Sequence, residues 1–500
     1  MKKLAIVIFI CSFFMLRPHE LQQTGMFYPT DDYGYFAHAS AIVYGQFPSY
    51  KKEVYFGSEP RPLTGIGPGL MASPLVFVFS LLDRLAGADI VTQRTAENVV
   101  HSWSLFGFIL ASHLYFCLGC FLLYKSVRFY VPDRYAVLSV ILMAVCQGLP
   151  VYVFRRPVSS PGFEFFLQSL CVYFLFNRVR DDSSRPGYLF ASGLGVVIGL
   201  MVLTRYNNLA MAAVWPFVIL CARVSDFKKT GFWARLSAVF AVAALVVAVF
   251  MILPNLFIPA SRLSRVGNTL LQGFGPMFYL RRMGHILAGI DWGLIYTAPF
   301  LIVGLIGIMT MRFPLRRRLF ICLLPMLLNL YVAIMWRTQG GYYGYRFLFP
   351  SMIPLLAYPL ALGLQRLEKI FKRHTVKVWL SLALLPVLSM VCFLGNQSSL
   401  ALSGVEQYFG VPGPGNNTFQ MEIWEMFLFA PGQLVVVLLK GGFFYLWHMI
   451  CVMFEGVGIL PNIIFIRYPV FGGVTLIKIC SLYALPFLLY GMLRRKRKTD

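Results

Sequence analysis

The predicted fold class is an all-α polytopic membrane protein, a bundle of about twelve transmembrane helices with juxtamembrane helices against its outer face. Three observations predict it. Hydrophobic residues make up 58% of the 500 and charged residues only 13%, with a mean hydropathy of +0.70, far from what a water-soluble domain carries. Apolar runs of roughly 20 residues recur from one end of the chain to the other, the length a helix needs to cross hydrocarbon. Backbone groups in hydrocarbon must be satisfied within the segment, and the two-residue alternation of a membrane barrel is absent, so each run is read as a helix.

The chain begins Met1-Lys2-Lys3 and continues with the apolar stretch Leu4–Leu16. No small-residue cleavage site precedes Arg17 and Pro18, so the stretch is read as a retained anchor. Further spans are expected at Trp103–Tyr124, Tyr135–Val151, Gly162–Phe176, Tyr188–Leu203, Tyr206–Cys221, Leu236–Leu253, Trp292–Met311, Leu319–Trp336, Phe347–Leu364, Val378–Leu394 and Val470–Met492. Both termini then share one side of the membrane. Long outer connections run over residues 17–102, 254–291 and 395–469. In the last of these, Phe427–Leu438 and Phe443–Phe454 are apolar but broken by Pro431, Lys440 and the Gly441–Gly442 pair. Interfacial helices, a re-entrant hairpin and two short spans all fit them. The chain divides into a transmembrane module at 1–394, with its first outer loop at 17–102, and a segment at 395–500 that holds the last outer loop, the last span and a basic tail.

Charge placement supports this topology, since short cytoplasmic loops are enriched in Lys and Arg. The loops placed inside are Lys2–Lys3, Lys125–Arg134, Arg178–Arg185, Arg223–Arg235, Arg312–Arg318, Arg366–Lys377 and Arg494–Lys498. Together with the C-terminal tail they hold 26 of the 44 basic residues and 6 of the 20 acidic ones. The net charge of +24 is thus mainly a topogenic signal, and no nucleic-acid partner is needed to explain it. The ten cysteines lie in apolar segments, and Cys117-x-x-Cys120 sits inside a span with no second pair, so neither a disulfide framework nor a redox motif is indicated. The seven histidines show no metal-ligand spacing. No metal site is expected.

Chemistry concentrates on the outer side. Asp31 and Asp32 follow the first apolar segment, where water gives way to lipid, and a carboxylate there is suited to act as a general base. Asp31 follows Pro29-Thr30 and opens a helical pattern ending near Gly45, so capping is an equally ordinary role for one of the pair. Arginines also gather at outer span ends, against the topogenic trend: Arg155 and Arg156, Arg205, Arg281 and Arg282, Arg337 and Arg346. A guanidinium at the lipid boundary is costly unless paired, and its planar fork suits phosphate oxygens. Snorkelling, or pairing with Glu164, Asp291 or the first-loop carboxylates, is the plainer alternative. Arg205 is the most pointed case, because Arg205, Tyr206, Asn207 and Asn208 are held between two closely spaced spans. The segment Thr64–Gly69 lacks the lysine and spacing of a phosphate loop and is read as a structural turn at the mouth of the bundle.

The Asp-Asp pair after the first span leads into Tyr35-Phe36-Ala37-His38-Ala39. An outer Gly/Tyr/Arg motif, Gly340–Pro350, leads into a late span, and Asp291–Phe300 (DWGLIYTAPF) approaches another. In these features the chain resembles the GT-C-type membrane glycosyltransferases, which include the protein O-mannosyltransferases, the lipid A aminoarabinose transferases and related polyprenyl-phosphate-sugar enzymes. The resemblance implies a GT-C-like catalytic module, a polyprenyl-phosphate-sugar donor, and transfer to a lipid, glycan or protein acceptor on the periplasmic face of a bacterial inner membrane. Carried over by position, Asp31 is the catalytic base with Asp32 as the alternative. Arg205, Arg337, Arg346 and Arg156 are assigned to the donor phosphate, and Tyr206, Tyr345, His38 and Tyr35 to sugar or acceptor. No cofactor is expected, because a departing monophosphate does not demand a divalent ion. A substantial soluble C-terminal domain, present in larger members of the group, is lacking, which leaves acceptor recognition to residues 254–291 and 395–469. The competing class is a multi-span transporter or lipid flippase, which usually buries ionisable groups near the midplane.

Overall fold

The computed structural model describes residues 1–15, 31–50, 62, 64–87, 102–145, 149–155, 157–180, 186–221, 228–254, 276–288, 300–311, 316, 318–325, 349–371 and 473–495, with a few positions at 429–435. All regular structure among them is helical. In chain order the helices are α1 (Lys2–Met15), α2 (Asp31–Val43), α3 (Gly67–Leu85), α4 (Trp103–Arg128), α5 (Asp133–Val140), α6 (Pro161–Arg180), α7 (Tyr188–Thr204), α8 (Leu209–Leu220), α9 (Thr230–Val247), α10 (Pro276–Ala288), α11 (Leu301–Thr310), α12 (Phe349–Phe371) and α13 (Gly473–Arg495). Several begin or end within a few residues of the expected spans, because a long apolar run that must satisfy its own backbone leaves no other choice. Helix α5 continues as a π-helical turn over Ile141–Val145, and α9 over Ala248–Ile252. The expected span Val378–Leu394 and most of 395–469 lie outside the described residues.

Among the described residues, three helices are long and apolar enough to cross a membrane by length and composition: α3, α4 and α9 with its π turn. Helix α4 is the centre of the bundle, with 72% of its apolar window buried against 17% for α9. It packs on α3 and α6, while α7 pairs with α9, α11 with α12, and α1 with α13. Two of these crossings depend on glycine. A Cβ on Gly195 or Gly199 would lie 2.6 Å from Val239 O or 2.8 Å from Val246 Cβ, and one on Gly307 or Gly363 would run into the facing backbone of Pro359 or Val303. Small residues, four apart on one helix at Gly195 and Gly199 and on facing helices at Gly307 and Gly363, let backbones approach closely where lipid offers no hydrophobic driving force.

Among the described residues of the connection 17–102 are the helices α2 and α3. Helix α2 matches the helical pattern read between Asp31 and Gly45, and Gly45 closes it at φ 68°. Helix α3 carries no separate expectation, because Gly67, Pro68, Gly69 and an internal Pro74 punctuate its first half and Asp83-Arg84 end it. Its Met71, Ala72 and Val76 are buried, while Phe77, Val78, Leu81, Leu82 and Leu85 form an exposed apolar row. Pro68 stands in the first turn, where a missing N–H costs nothing.

Helix α3 runs antiparallel to α4. Tyr115 Oη donates to Met71 O at 3.2 Å, a Cβ on Gly107 would meet Leu75 O at 2.8 Å, and Asp83 reaches the first turn of α4. There the buried Asp83 carboxylate accepts from Trp103 N (2.8 Å), Ser104 N (2.7 Å) and Ser104 Oγ (2.5 Å), while Ser102 Oγ accepts from Leu105 N (3.0 Å). Three of the orphan donors of α4 are thereby satisfied, two by a carboxylate from another helix. From α13, Lys478 Nζ donates to Ser102 O (3.3 Å) and lies 4.5 Å from the centre of the Trp103 ring. Asp83→Ala is expected to destabilise the bundle by about 3 kcal/mol, since it leaves buried N–H groups without acceptors. Thermal unfolding in nanodiscs checks it. A midpoint within a degree of the parent would show that the joint carries no such weight.

Candidate active site

Polar side chains from α2, the Thr64–Gly69 segment, the start of α6 and the α7–α8 junction gather inside the bundle. Each is placed by a local feature of the chain. Helix α6 carries Glu164 and Gln168 one turn apart, and Ser160 stands one turn before Glu164 at its N-terminal edge. Residues spaced by four share a helix face, so this is a polar stripe on an apolar helix. Helix α7 stops at Thr204 because Arg205 is extended (φ −156°, ψ 133°), and a 3-10 turn, Tyr206–Asn208, starts α8. The backbone is held there by Arg205 N donating to Met201 O (3.3 Å) and Asn208 N donating to Arg205 O (3.0 Å).

Arg205 turns inward. Its Nε donates to Ser160 Oγ at 2.9 Å, and its Nη1 lies 3.1 Å from Glu164 Oε2, with the two side chains 8% and 0% exposed. Tyr35 Oη donates to the same Ser160 oxygen at 3.1 Å. One serine thus ties α2 to the guanidinium. Further along the stripe, Trp215 Nε1 donates to Gln168 Oε1 (2.8 Å), and Gln168 Nε2 lies 3.5 Å from Met201 Sδ, which fixes α6 against both α7 and α8.

The glycine-rich segment is the packing surface between these parts. A Cβ on Gly65 or Gly67 would lie 2.5 Å from Leu203 O or Thr204 N, and one on Gly69 would lie 2.7 Å from His38 Cβ and 2.9 Å from Tyr35 O. Backbone therefore touches backbone on two sides. Gly69→Val is expected to force α2 from α3 and to cut folded yield sharply, as overpacking at a backbone contact does; size-exclusion recovery of monodisperse protein measures it.

His38 is enclosed in the same region. Its Nε2 faces the carbonyl of Thr64 at 2.9 Å and its Nδ1 faces Tyr50 Oη at 2.6 Å. A carbonyl only accepts, so Nε2 carries the proton and, in the neutral ring, Nδ1 accepts from the tyrosine. Both nitrogens are thus engaged in bracing α2 against the turn.

The polar cluster is recessed. Gly162 packs near Ser112 and Gly119 against Phe165, so Ser160 and Glu164 stand beside the middle of α4. Nine residues separate Ser112 from Trp103, which places this level on the order of 14 Å along the helix from its N-terminal end. Glu164 is accordingly a buried acid within the expected span Gly162–Phe176.

Of the residues assigned from sequence, the structure brings together Tyr35, His38 and Arg205. Tyr206 is next to them in the chain and 50% exposed. Asp31 and Asp32 form the first turn of α2, one turn before Tyr35, while their side chains lie outside the description. Arg156, Arg337, Tyr345 and Arg346 lie outside the described residues. Ser160, Gln168 and the glycines at 65, 67 and 69 carried no functional assignment, and Glu164 was considered only as a partner for arginine. A lone acid in an apolar span, one turn from both a serine and a glutamine, was the available signal. Among the described residues no group of three or more His, Cys, Asp or Glu could hold a metal ion.

Residues 93–255 match the family model described as dolichyl-phosphate-mannose-protein mannosyltransferase. No curated protein matches. Solved structures that align include three of the oligosaccharyltransferase of Archaeoglobus fulgidus. The apo form is 12% identical, with a TM-score of 0.38, over 83% of this chain and 60% of that one. The complex with Zn and sulfate is 16% identical, with a TM-score of 0.41, over 83% and 58%. The complex of this enzyme, AglB, with an inhibitory peptide and a dolichol-phosphate is 13% identical, with a TM-score of 0.37, over 92% and 58%. The chain spans about three-fifths of the length of these structures.

Proposed function

We propose, from the premise that residues 93–255 are of the dolichyl-phosphate-mannose-protein mannosyltransferase kind, that this chain is a membrane glycosyltransferase. It moves a sugar from a polyprenyl-phosphate-linked donor to a lipid, glycan or protein acceptor on the non-cytosolic side of the membrane, the periplasmic face if the membrane is a bacterial inner membrane. The observation that carries the reading is the buried Arg205, fixed through Ser160 to the helix that Asp31 opens. Matched residues 93–255 include Ser160, Glu164, Arg205 and Tyr206, so the family resemblance covers the α6 and α7–α8 part of the polar cluster.

The proposed chemistry is an inverting displacement. The acceptor hydroxyl oxygen attacks the anomeric carbon, the bond from that carbon to the phosphate oxygen breaks, and the hydroxyl proton passes to the Asp31 carboxylate. Asp32 is the alternative acceptor for that proton. As the anomeric carbon becomes oxocarbenium-like, negative charge grows on the departing polyprenyl phosphate, and a guanidinium preorganised away from water stabilises it more than one in bulk solvent. Arg205 has that role, joined in the proposal by Arg156, Arg337 and Arg346. Tyr206, half exposed beside Arg205, is assigned to sugar or acceptor together with Tyr345, Tyr35 and His38, of which Tyr35 and His38 also hold α2 in register. No divalent ion is needed for this leaving group.

The buried Glu164–Arg205 pair also favours a second reading, since transporters and flippases bury paired ionisable groups within the bundle. One experiment separates the two. Proteoliposomes holding the purified chain receive a polyprenyl-phosphate donor labelled in its sugar, with acceptor-bearing membranes added. Sugar transfer predicts label in the acceptor fraction and release of polyprenyl phosphate; label that crosses the bilayer still attached to its lipid supports the flippase instead.

A further inference from the structure

We infer that Glu164 is a positioning residue for the lipid-linked donor: its carboxylate fixes the Arg205 guanidinium in the orientation that meets the donor phosphate. The inference rests on the sugar-transfer reading of Arg205 and deepens it.

Three observations carry it. Burying a carboxylate and a guanidinium together carries a desolvation cost for each ion that their attraction barely offsets, and an apolar pair of similar volume is often at least as stable. Stability is therefore a poor reason for a fully buried Glu164 against a buried Arg205. Orientation is a better one. Arg205 hangs from a single extended residue between α7 and the 3-10 turn, and its side chain has four rotatable bonds to settle. With Nε on Ser160 and Nη1 beside Glu164, two nitrogens of a planar group are set, and the direction of Nη2 follows.

The holders are themselves rigid. Ser160 and Glu164 lie one helical turn apart, and Gln168, a turn further on, is locked between Trp215 and Met201. Ser160 also accepts from Tyr35, one turn after Asp31 on α2. The same stripe that orients the guanidinium thus sets its register with the helix that presents the proposed base.

The test uses the full-length protein in nanodiscs, with farnesyl phosphate as the binding probe and a polyprenyl-phosphate sugar for turnover. Glu164→Gln keeps the shape and removes the charge. It is expected to weaken farnesyl phosphate about 10-fold or more, the scale of one charged hydrogen bond, and to raise the donor KM by a similar factor with kcat little changed. Farnesol, which has no phosphate, is expected to bind both forms alike. Glu164→Asp should recover part of the loss. Added to Arg205→Lys, Glu164→Gln should bring no further loss, because it acts through the group already altered. A role confined to holding the fold predicts the opposite pattern, with reduced thermal midpoint and kcat, unchanged KM, and losses that add.

Unchanged phosphate binding in Glu164→Gln, or additive losses with Arg205→Lys, overturns the inference. Should the glutamine form fail to fold, Glu164→Asp carries the same test: it withdraws the charge by one methylene, so a raised donor KM supports the inference and an unchanged one ends it. If Arg205→Lys leaves phosphate binding untouched, the assignment of Arg205 to the donor fails first. If Arg205→Lys weakens it and the Glu164 variants do not, only the positioning role fails.

Discussion

Asp31→Asn protein that inserts and folds normally is expected to lose sugar transfer by about 100-fold to 10,000-fold, the range attributed to a positioned general base. The amide keeps the size and the first-turn position on α2 but has no capacity to take the acceptor proton. Donor binding should survive, because the phosphate is held elsewhere. The fall therefore belongs in kcat, with the donor KM close to that of the parent. Asp32→Asn is the internal control, and it is expected to lose far less. The opposite ranking would move the base to Asp32, while full activity in both would remove the carboxylates from the mechanism. A role limited to helix capping predicts nearly unchanged stability and an unaltered rate, since an asparagine caps as well as an aspartate.

The second large effect is expected at Arg205. Arg205→Lys keeps a positive charge in the cluster, yet an ammonium on a flexible stem does not reproduce a planar fork that meets Ser160, Glu164 and a phosphate together. Transfer is expected to fall about 100-fold or more, comparable to loss of one preorganised donor to a developing oxyanion. Unlike Asp31→Asn, this variant should weaken binding of farnesyl phosphate as well as turnover. A lysine form that binds and turns over like the parent would mean that Arg205 only neutralises Glu164. Arg205→Ala is a less clean probe, because it strands a buried carboxylate at a cost of about 3–5 kcal/mol.

Much of the fold was legible because membrane solvation leaves few choices. Apolar runs such as Trp103–Tyr124 and Tyr188–Leu203 satisfy their backbone only as helices, and α4 and α7 follow them closely. Helix α3 was not anticipated for a physical reason: glycines and prolines at its start are ordinary turn signals, and only the tertiary contacts with Thr204 and His38 reveal that those glycines serve close packing. The site divides similarly. A charge between two closely spaced spans is conspicuous, so Arg205 stood out from the chain alone. That it points inward, to Glu164 and Ser160, depends on how α6 and α7 rotate about their axes, which one sequence does not specify. His38 is assigned to sugar or acceptor only through the family resemblance; that its two nitrogens meet Tyr50 and Thr64 depends on tertiary contacts that one sequence does not specify.

The most direct test of the central claim follows sugar label from a polyprenyl-phosphate donor in reconstituted membranes, comparing the parent chain with Asp31→Asn and Arg205→Lys. The account predicts label in an acceptor, with stoichiometric release of polyprenyl phosphate, a deep loss in both variants, and a loss of donor binding in the arginine variant alone. Transfer that proceeds equally in all three, or a donor that leaves the membrane assay with its sugar still attached, would contradict it.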